Sequence, residues 1–184
     1  YAEFLQRFGE VGMLAISHRQ DEVVYEAIRH LSRVKENSKS RQADITKAES
    51  ELRLAVGKNT ELSEASMLAR LHWWTVEYGL VGELDDYKLF GAGLLSARCE
   101  RQHCLDDERV KKLPLTVNAL LYPYDITCEQ TQLFVTKSCR HLTQVLEEFA
   151  ATMCFAKGGA ESLQKAIRAK TVCTAQYDSG IQVS

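Results

Sequence analysis

Only two prolines interrupt the 184 residues, so few positions forbid a helical backbone and a mainly helical fold is expected. None of the six cysteines (Cys99, Cys104, Cys128, Cys139, Cys154 and Cys173) belongs to a C-x-x-C pair. A chain this large and apolar needs no disulfide staples, so reduced, mostly buried thiols are expected. An excess of one charge is also missing: 23 basic against 25 acidic residues leave a formal charge of -2. Without a long basic stripe, nucleic acid is excluded as the main partner. Apolar runs extend only a few residues, far short of a membrane span, and no secretory signal pattern is present. A cytoplasmic protein with no membrane or nucleic-acid partner is expected. The initiator Met is absent too. The chain opens at Tyr1-Ala2-Glu3-Phe4 already in helical pattern and reads like the middle of a protein.

What is there is apolar enough, at 45% hydrophobic residues, to bury one sizeable core. Residues 1–18 place Phe4, Leu5, Phe8, Val11, Leu14 and Ala15 at helical intervals, and Asp21 is expected to cap a second helix through about Lys35. A polar stretch from 40 to 56 reads as an exposed helix ended by Gly57. Thr60 or Ser63 is expected to begin a central helix running to Tyr78, with Leu68, Leu71, Thr75 and Tyr78 on one face and Gly79 at its end. Residues 86–96 read as a short strand, a Gly91-Ala92-Gly93 turn and a helical turn. The span from Arg98 to Lys112 reads as loop, and Pro114 is expected to open a short helix. Leu133 to Thr136 reads as a strand, and His141 to Met153 as the cleanest amphipathic helix of the chain. Residues 159–169 form a further helix with Leu163, Ala166 and Ile167 inward, and Thr171 to Ser184 carries a hairpin signal.

One carboxylate stands out. In the run Leu71-His72-Trp73-Trp74-Thr75-Val76-Glu77-Tyr78-Gly79-Leu80, Glu77 lies within an aromatic, apolar helix. An ionised carboxylate is expensive to bury without a counter-charge or a metal. The plain partner is Arg70, seven residues back on the same helix face. Cys99, His103 and Cys104 are close in sequence, but a tetrahedral metal site needs a fourth ligand and more regular spacing, so reduced thiols are the better reading.

This run, followed by Leu89-Phe90-Gly91-Ala92-Gly93-Leu94-Leu95-Ser96, resembles the aromatic amino acid hydroxylases. These are tetrahydropterin-dependent non-haem iron enzymes whose third iron ligand sits in a W-[FYW]-T-V-E-[FY]-G-L segment. The resemblance is strong from Ala69 to Ser96 and extends in outline from Tyr1 to Met153, with the phenylalanine 4-hydroxylase-like bacterial members in view. It implies a mainly α fold with short strands and a C-terminal hairpin, forming part of a hydroxylase-like catalytic domain over residues 1–153. Residues 154–184 then form an appended helix and hairpin.

The resemblance also assigns roles. Glu77 would be the carboxylate of a 2-His-1-carboxylate iron site. Trp73, Tyr78, Gly93 and Ser96 would line the substrate side, and Ala69 and His72 the pterin side. The implied cofactors are Fe(II) and tetrahydrobiopterin, the substrates phenylalanine and O₂, and the product tyrosine; a homo-oligomer is left open. The two histidine ligands belong to an H-x-x-x-H pair upstream of the segment where this chain starts. No two of His18, His30, His72, His103 and His141 are four apart, and His72 lies about 140° round the helix from Glu77. The chain also departs from the family: Ala97-Arg98-Cys99-Glu100 stands where S-x-G-E is common, and Thr131 where a proline is expected. The competing expectation is therefore a non-catalytic helical fragment or degenerate copy that acts as a structural, self-associating protein.

Overall fold

The computed structural model describes residues 1–59, 61–106, 108–170 and 175–183. It is mainly helical with short strands, as expected. The chain divides into two compact units, one built from Tyr1–Ala15 and Met67–Lys157, the other from Ile16–Ser66 and Gly158–Ser184.

The first unit carries the site. Helix α1 (Ala2–Met13) buries Phe4 and Val11, and its Arg7 guanidinium grips Glu147 of helix α7 (Cys139–Ala150) through two nitrogens. The sheet is small and mixed, in the order β2-β1-β4-β3. Strand β1 (Leu80–Gly82) pairs antiparallel with β2 (Tyr87–Leu89) and parallel with β4 (Gln132–Thr136). Strand β3 (Lys111–Pro114) pairs parallel with β4, with Leu113 opposite Phe134. Leu133, Phe134, Val135 and Thr136 are all buried, as the continuous apolar run of a strand covered on both faces should be. Helix α7 presents Leu142, Val145, Leu146 and Phe149 to a core shared with Leu71, Trp74, Leu80, Leu94, Leu115 and Leu120. Burying a side chain of this size contributes roughly 1.5–3 kcal/mol.

Two expectations for this unit, the loop from Arg98 to Lys112 and the helix opened by Pro114, are corrected. Arg98–His103 is a helix, α6, that buries none of its residues, so a buried stripe was not there to be seen. Pro114 ends a strand instead of opening a helix, and a 3-10 turn follows only at Val117–Leu121. The span before Pro114 is strand because pairing with β4 supplies its hydrogen bonds. Helix α5 (Ala92–Ser96) and the short α8 (Cys154–Lys157) complete the unit.

In the second unit, helices α2 (Arg19–Glu36) and α3 (Gln42–Lys58) pack together, burying Leu31, Ala48, Leu52 and Ala55. Asp21 is not the cap of α2. His18 occupies that place, and Asp21, at the third helical position, accepts the His18 backbone N–H at 2.7 Å. Its other oxygen accepts from Asn59 Nδ2 at 3.0 Å and Ser66 Oγ at 2.6 Å. One carboxylate thus ties the start of α2 to the end of α3 and the first turn of α4 (Glu64–His72). Burial pushes the Asp21 carboxyl up, but the hydrogen bonds outweigh it and hold the group below the usual carboxylate range. Gly57 lies inside α3 instead of ending it. Ser63 caps α4, its Oγ accepting from the Ser66 N–H at 2.9 Å, while Thr60 lies outside the described residues.

Helix α9 (Gly159–Ala169) also differs from its reading: Ser162, Ala166 and Ala169 are buried, whereas Leu163 and Ile167 are exposed. Small residues allow a closer approach than the larger apolar pair. Lys170 then adopts a left-handed conformation at φ 54°, where a glycine would be comfortable. Strands β5 (Ala175–Gln176) and β6 (Gln182–Val183) form the expected hairpin, with Gly180 at φ 82° in its turn; residues 171–174 lie outside the described ones.

Candidate functional site

Helix α4 does not run on to Tyr78. From Trp73 to Glu77 it widens into a π turn, and the Tyr78 N–H donates to the Trp73 carbonyl five residues back at 2.8 Å. Such turns insert one residue into a helix and redirect the side chains that follow. Thr75 supports the turn, its buried hydroxyl donating to the Leu71 carbonyl at 2.6 Å. Gly79 closes it through an N–H to the Thr75 carbonyl at 3.1 Å, where a Cβ would stand 2.3 Å from that oxygen. The N–H groups of Phe90 and Gly91 both donate to the Gly79 carbonyl, at 3.1 and 2.9 Å. They fold the start of α5 back onto the π turn.

That fold-back encloses Glu77 in glycine. A Cβ at Gly91 would lie 2.3 Å from the Glu77 carbonyl oxygen, and one at Gly93 would lie 2.9 Å from Glu77 Oε2 and 3.0 Å from the Tyr78 ring. The missing side chain of Gly93 is what leaves room for the carboxylate. Glu77 is half-buried, and among the described residues its carboxylate has no hydrogen bond or ion pair. Arg70, the partner that sequence spacing offers, instead donates to the carbonyls of Leu120 and Leu121 at 3.2 and 2.9 Å. The groups that feel the Glu77 charge are phenols. Burial, then Glu100, then Glu77 push the Tyr78 hydroxyl up to about 12. Tyr1 is raised by burial first, with Cys139 and Glu77 adding to it.

Beside the carboxylate stands an aromatic stack. Trp73 lies between Tyr78, with centroids 4.6 Å apart and planes 19° from parallel, and Tyr124, at 4.5 Å and 12°. The Trp73 Nε1 is buried without a hydrogen-bond partner. Trp74 faces the core and is anchored by its own Nε1 donating to the Tyr122 carbonyl at 3.0 Å. The Tyr78 hydroxyl donates to Glu100 Oε1 at 3.1 Å.

The structure therefore brings Trp73, Glu77, Tyr78 and Gly93 together. The other residues singled out from sequence lie outside this cluster. His72 ends α4, its ring edge-on to Phe8 at 5.6 Å. Ala69 is exposed on the same helix. The exposed Ser96 hydroxyl turns back onto its own helix, donating to the Gly93 carbonyl at 2.9 Å. Sequence reading missed Tyr124, which follows Pro123 without an apolar pattern around it, and it missed the π turn; the hydroxyl of Thr75 inside an apolar run was the available signal. A cleft with about 10 Å³ of free volume, room for about one water, lies among Leu94, Glu100, His103, Cys104, Glu129 and Leu133.

As a donor set, Glu77 fits one place in the shell of an iron ion: a half-buried carboxylate with both oxygens uncommitted. The described residues do not complete that shell, because no group of three or more His, Cys, Asp or Glu side chains among them is placed to hold a metal. No disulfide joins the cysteines among the described residues, and of these Cys99, Cys128 and Cys139 are exposed while Cys104 and Cys154 are buried.

Comparison with known proteins places the chain in a family. The chain is 40% identical to phenylalanine-4-hydroxylase of Bos taurus over 87 residues, which are 47% of this chain and 19% of that protein. It thus spans about a fifth of the length of the curated mammalian relatives it matches. It is similar to Chromobacterium violaceum phenylalanine hydroxylase with bound iron(III) and 7,8-dihydrobiopterin, at 26% identity and a TM-score of 0.44, covering 59% of this chain and 40% of that one. The same enzyme with iron and phenylalanine bound matches at 27% identity and a TM-score of 0.44, covering 59% and 43%. The model of the biopterin-dependent aromatic amino acid hydroxylases matches residues 22–157. With well over half of its length inside that match, the chain belongs to the biopterin-dependent aromatic amino acid hydroxylase family.

Proposed function

We propose that this chain forms part of the catalytic domain of an iron- and tetrahydropterin-dependent monooxygenase that hydroxylates phenylalanine to tyrosine with O₂. Glu77 would serve as the carboxylate ligand of Fe(II), its two imidazole partners being histidines other than the five of this chain. The observation that carries this reading is the state of Glu77: half-buried, unpaired among the described residues, and given its space by Gly93. Leaving a carboxylate so is costly in a folded protein, and a cation at its oxygens removes that cost.

The remaining assignments follow the same reading. Trp73, Tyr78 and Gly93 would wall the ring of an aromatic amino acid, an apolar surface suited to an aromatic face, with Ser96 at its edge. Ala69 and His72 would border the pterin. Iron and tetrahydropterin, when bound, supply the activation of O₂, and the described residues supply only part of the iron shell. The end of the family match at residue 157 supports taking residues 154–184 as an appended helix and hairpin. No helix among the described residues is long and apolar enough to cross a membrane, which is compatible with a cytoplasmic enzyme.

The test is elemental analysis of the purified chain and of Glu77→Gln, each supplied with Fe(II) and free imidazole in place of the two histidines, together with an assay for tyrosine formed from phenylalanine and tetrahydrobiopterin. Iron that is present in the wild type and lost in Glu77→Gln supports the reading. A well-folded, metal-free oligomer whose behaviour does not change in Glu77→Gln supports the alternative of a non-catalytic scaffold.

A further inference from the structure

Two side-chain contacts hold α6 against its surroundings, since the helix buries none of its own residues. One runs from the Tyr78 hydroxyl to Glu100. The other joins His103 Nδ1 to both oxygens of Glu129, at 3.0 and 2.9 Å. Across Tyr78 from Glu100 stands Trp73, whose buried Nε1 has no hydrogen-bond partner. Stacking on Tyr78 and Tyr124 is then what orients the indole. Tyr78 itself caps the π turn in a non-helical conformation, φ -127° and ψ 20°. Its ring lies close against Gly93, where a Cβ would stand 3.0 Å from it, and its hydroxyl is tethered at the far end by Glu100.

We propose that Glu100 is a positioning residue of the Glu77 site: by accepting the Tyr78 hydroxyl it fixes Tyr78 against Trp73 and so sets the aromatic wall beside the carboxylate. Its bearing on catalysis rests on reading Glu77 as the iron ligand and the stack as the substrate wall, whereas the positioning itself needs neither. The acceptor oxygen matters more than the charge. Glutamine at this position keeps an oxygen able to accept from the phenol, and alanine does not.

The chain contains two tryptophans, so its amide NMR spectrum has two indole N–H signals, each reporting one side of the π turn. In the full chain, Glu100→Ala is expected to shift and broaden the Trp73 signal, as flanking rings that shield it lose their fixed geometry. The Trp74 signal, held by the Tyr122 carbonyl, is expected to stay. Glu100→Gln is expected to keep the wild-type Trp73 signal. An unmoved Trp73 signal in Glu100→Ala overturns the proposal, as does equal movement of both indole signals, which marks general loosening. If Glu100→Ala fails to fold, Tyr78→Phe breaks the same hydrogen bond from the other end. It is expected to shift the Trp73 signal alone, and an unchanged signal there overturns the proposal equally. A chain whose metal binding in the presence of free imidazole is unchanged by Glu77→Gln, yet which shows the Trp73 response, keeps the positioning role and refutes only the reading of Glu77.

Discussion

Alanine at Gly91 and alanine at Gly57 should move stability in opposite directions. Replacing glycine by alanine restricts the unfolded chain and by itself stabilises by about 0.4–1 kcal/mol. At Gly57, inside α3, a Cβ meets nothing within 4 Å. Helix propensity is then free to act, and Gly57→Ala should stabilise by about 1 kcal/mol. At Gly91 the same methyl would stand 2.3 Å from the Glu77 oxygen, 2.5 Å from its carbonyl carbon and 2.6 Å from the Gly79 nitrogen. All three are backbone atoms in the π turn, so no flexible side chain can swing aside.

Relief requires α5 to back away by about 1 Å, and overpacking of this kind costs about 1–3 kcal/mol. The two hydrogen bonds to the Gly79 carbonyl weaken as well, at about 1 kcal/mol each. The net effect at Gly91 should be a loss of about 2–3 kcal/mol. For a chain of this length that lowers Tm by roughly 5–10 °C, against a rise of about 2–4 °C for Gly57→Ala. Urea melts followed by tryptophan fluorescence report on Gly91 directly, because both indoles sit on the turn it closes against. Circular dichroism follows α3. Gly91→Ala at or above wild-type stability would refute the claim that glycine is required by this close approach.

Other outcomes follow from the same geometry. Thr75→Val keeps the side-chain volume but removes the hydroxyl from the Leu71 carbonyl; it should cost about 1 kcal/mol and speed amide exchange at Tyr78, read by hydrogen exchange. Lys170→Gly relieves a left-handed backbone at the end of α9 and should stabilise by roughly 0.5–1 kcal/mol in a denaturant melt. The Asp21 carboxyl is held low in the folded chain. Its stabilising contribution should therefore be complete above the ordinary carboxylate value near 4 and decline as pH falls below it. Asp21→Asn should flatten that part of the stability profile, and an unchanged acid slope would contradict the role given to its hydrogen bonds.

Some of this was legible in the residues. The apolar spacing of Leu142, Val145, Leu146 and Phe149 located α7, and the run Leu133 to Thr136 located β4, because each pattern is set by local burial. The glycines at 91 and 93 were legible as a turn, but their close approach to Glu77 was not. What stayed hidden depends on partners far along the chain. Leu80–Gly82 pairs with nearby β2 but also, far along the chain, through Leu80 and Val81 with Val135 and Thr136, and Lys111–Lys112, polar and loop-like alone, pair with Gln132 and Leu133. The π turn escaped because a single inserted residue barely disturbs helical periodicity over so short a run. Helix α9 misled for a different reason: amphipathic spacing shows that a helix has two faces, but the buried one was lined by Ser162, Ala166 and Ala169.

The central claim is that Glu77 is kept uncommitted to hold a metal ion. A Co(II) titration of the full chain in the presence of free imidazole tests it most directly, imidazole standing in for ligands the described residues do not bring to the site. The account predicts a visible Co(II) spectrum that strengthens with imidazole and at least tenfold weaker binding in Glu77→Gln. A spectrum identical in Glu77→Gln, or none at any imidazole concentration, would contradict it.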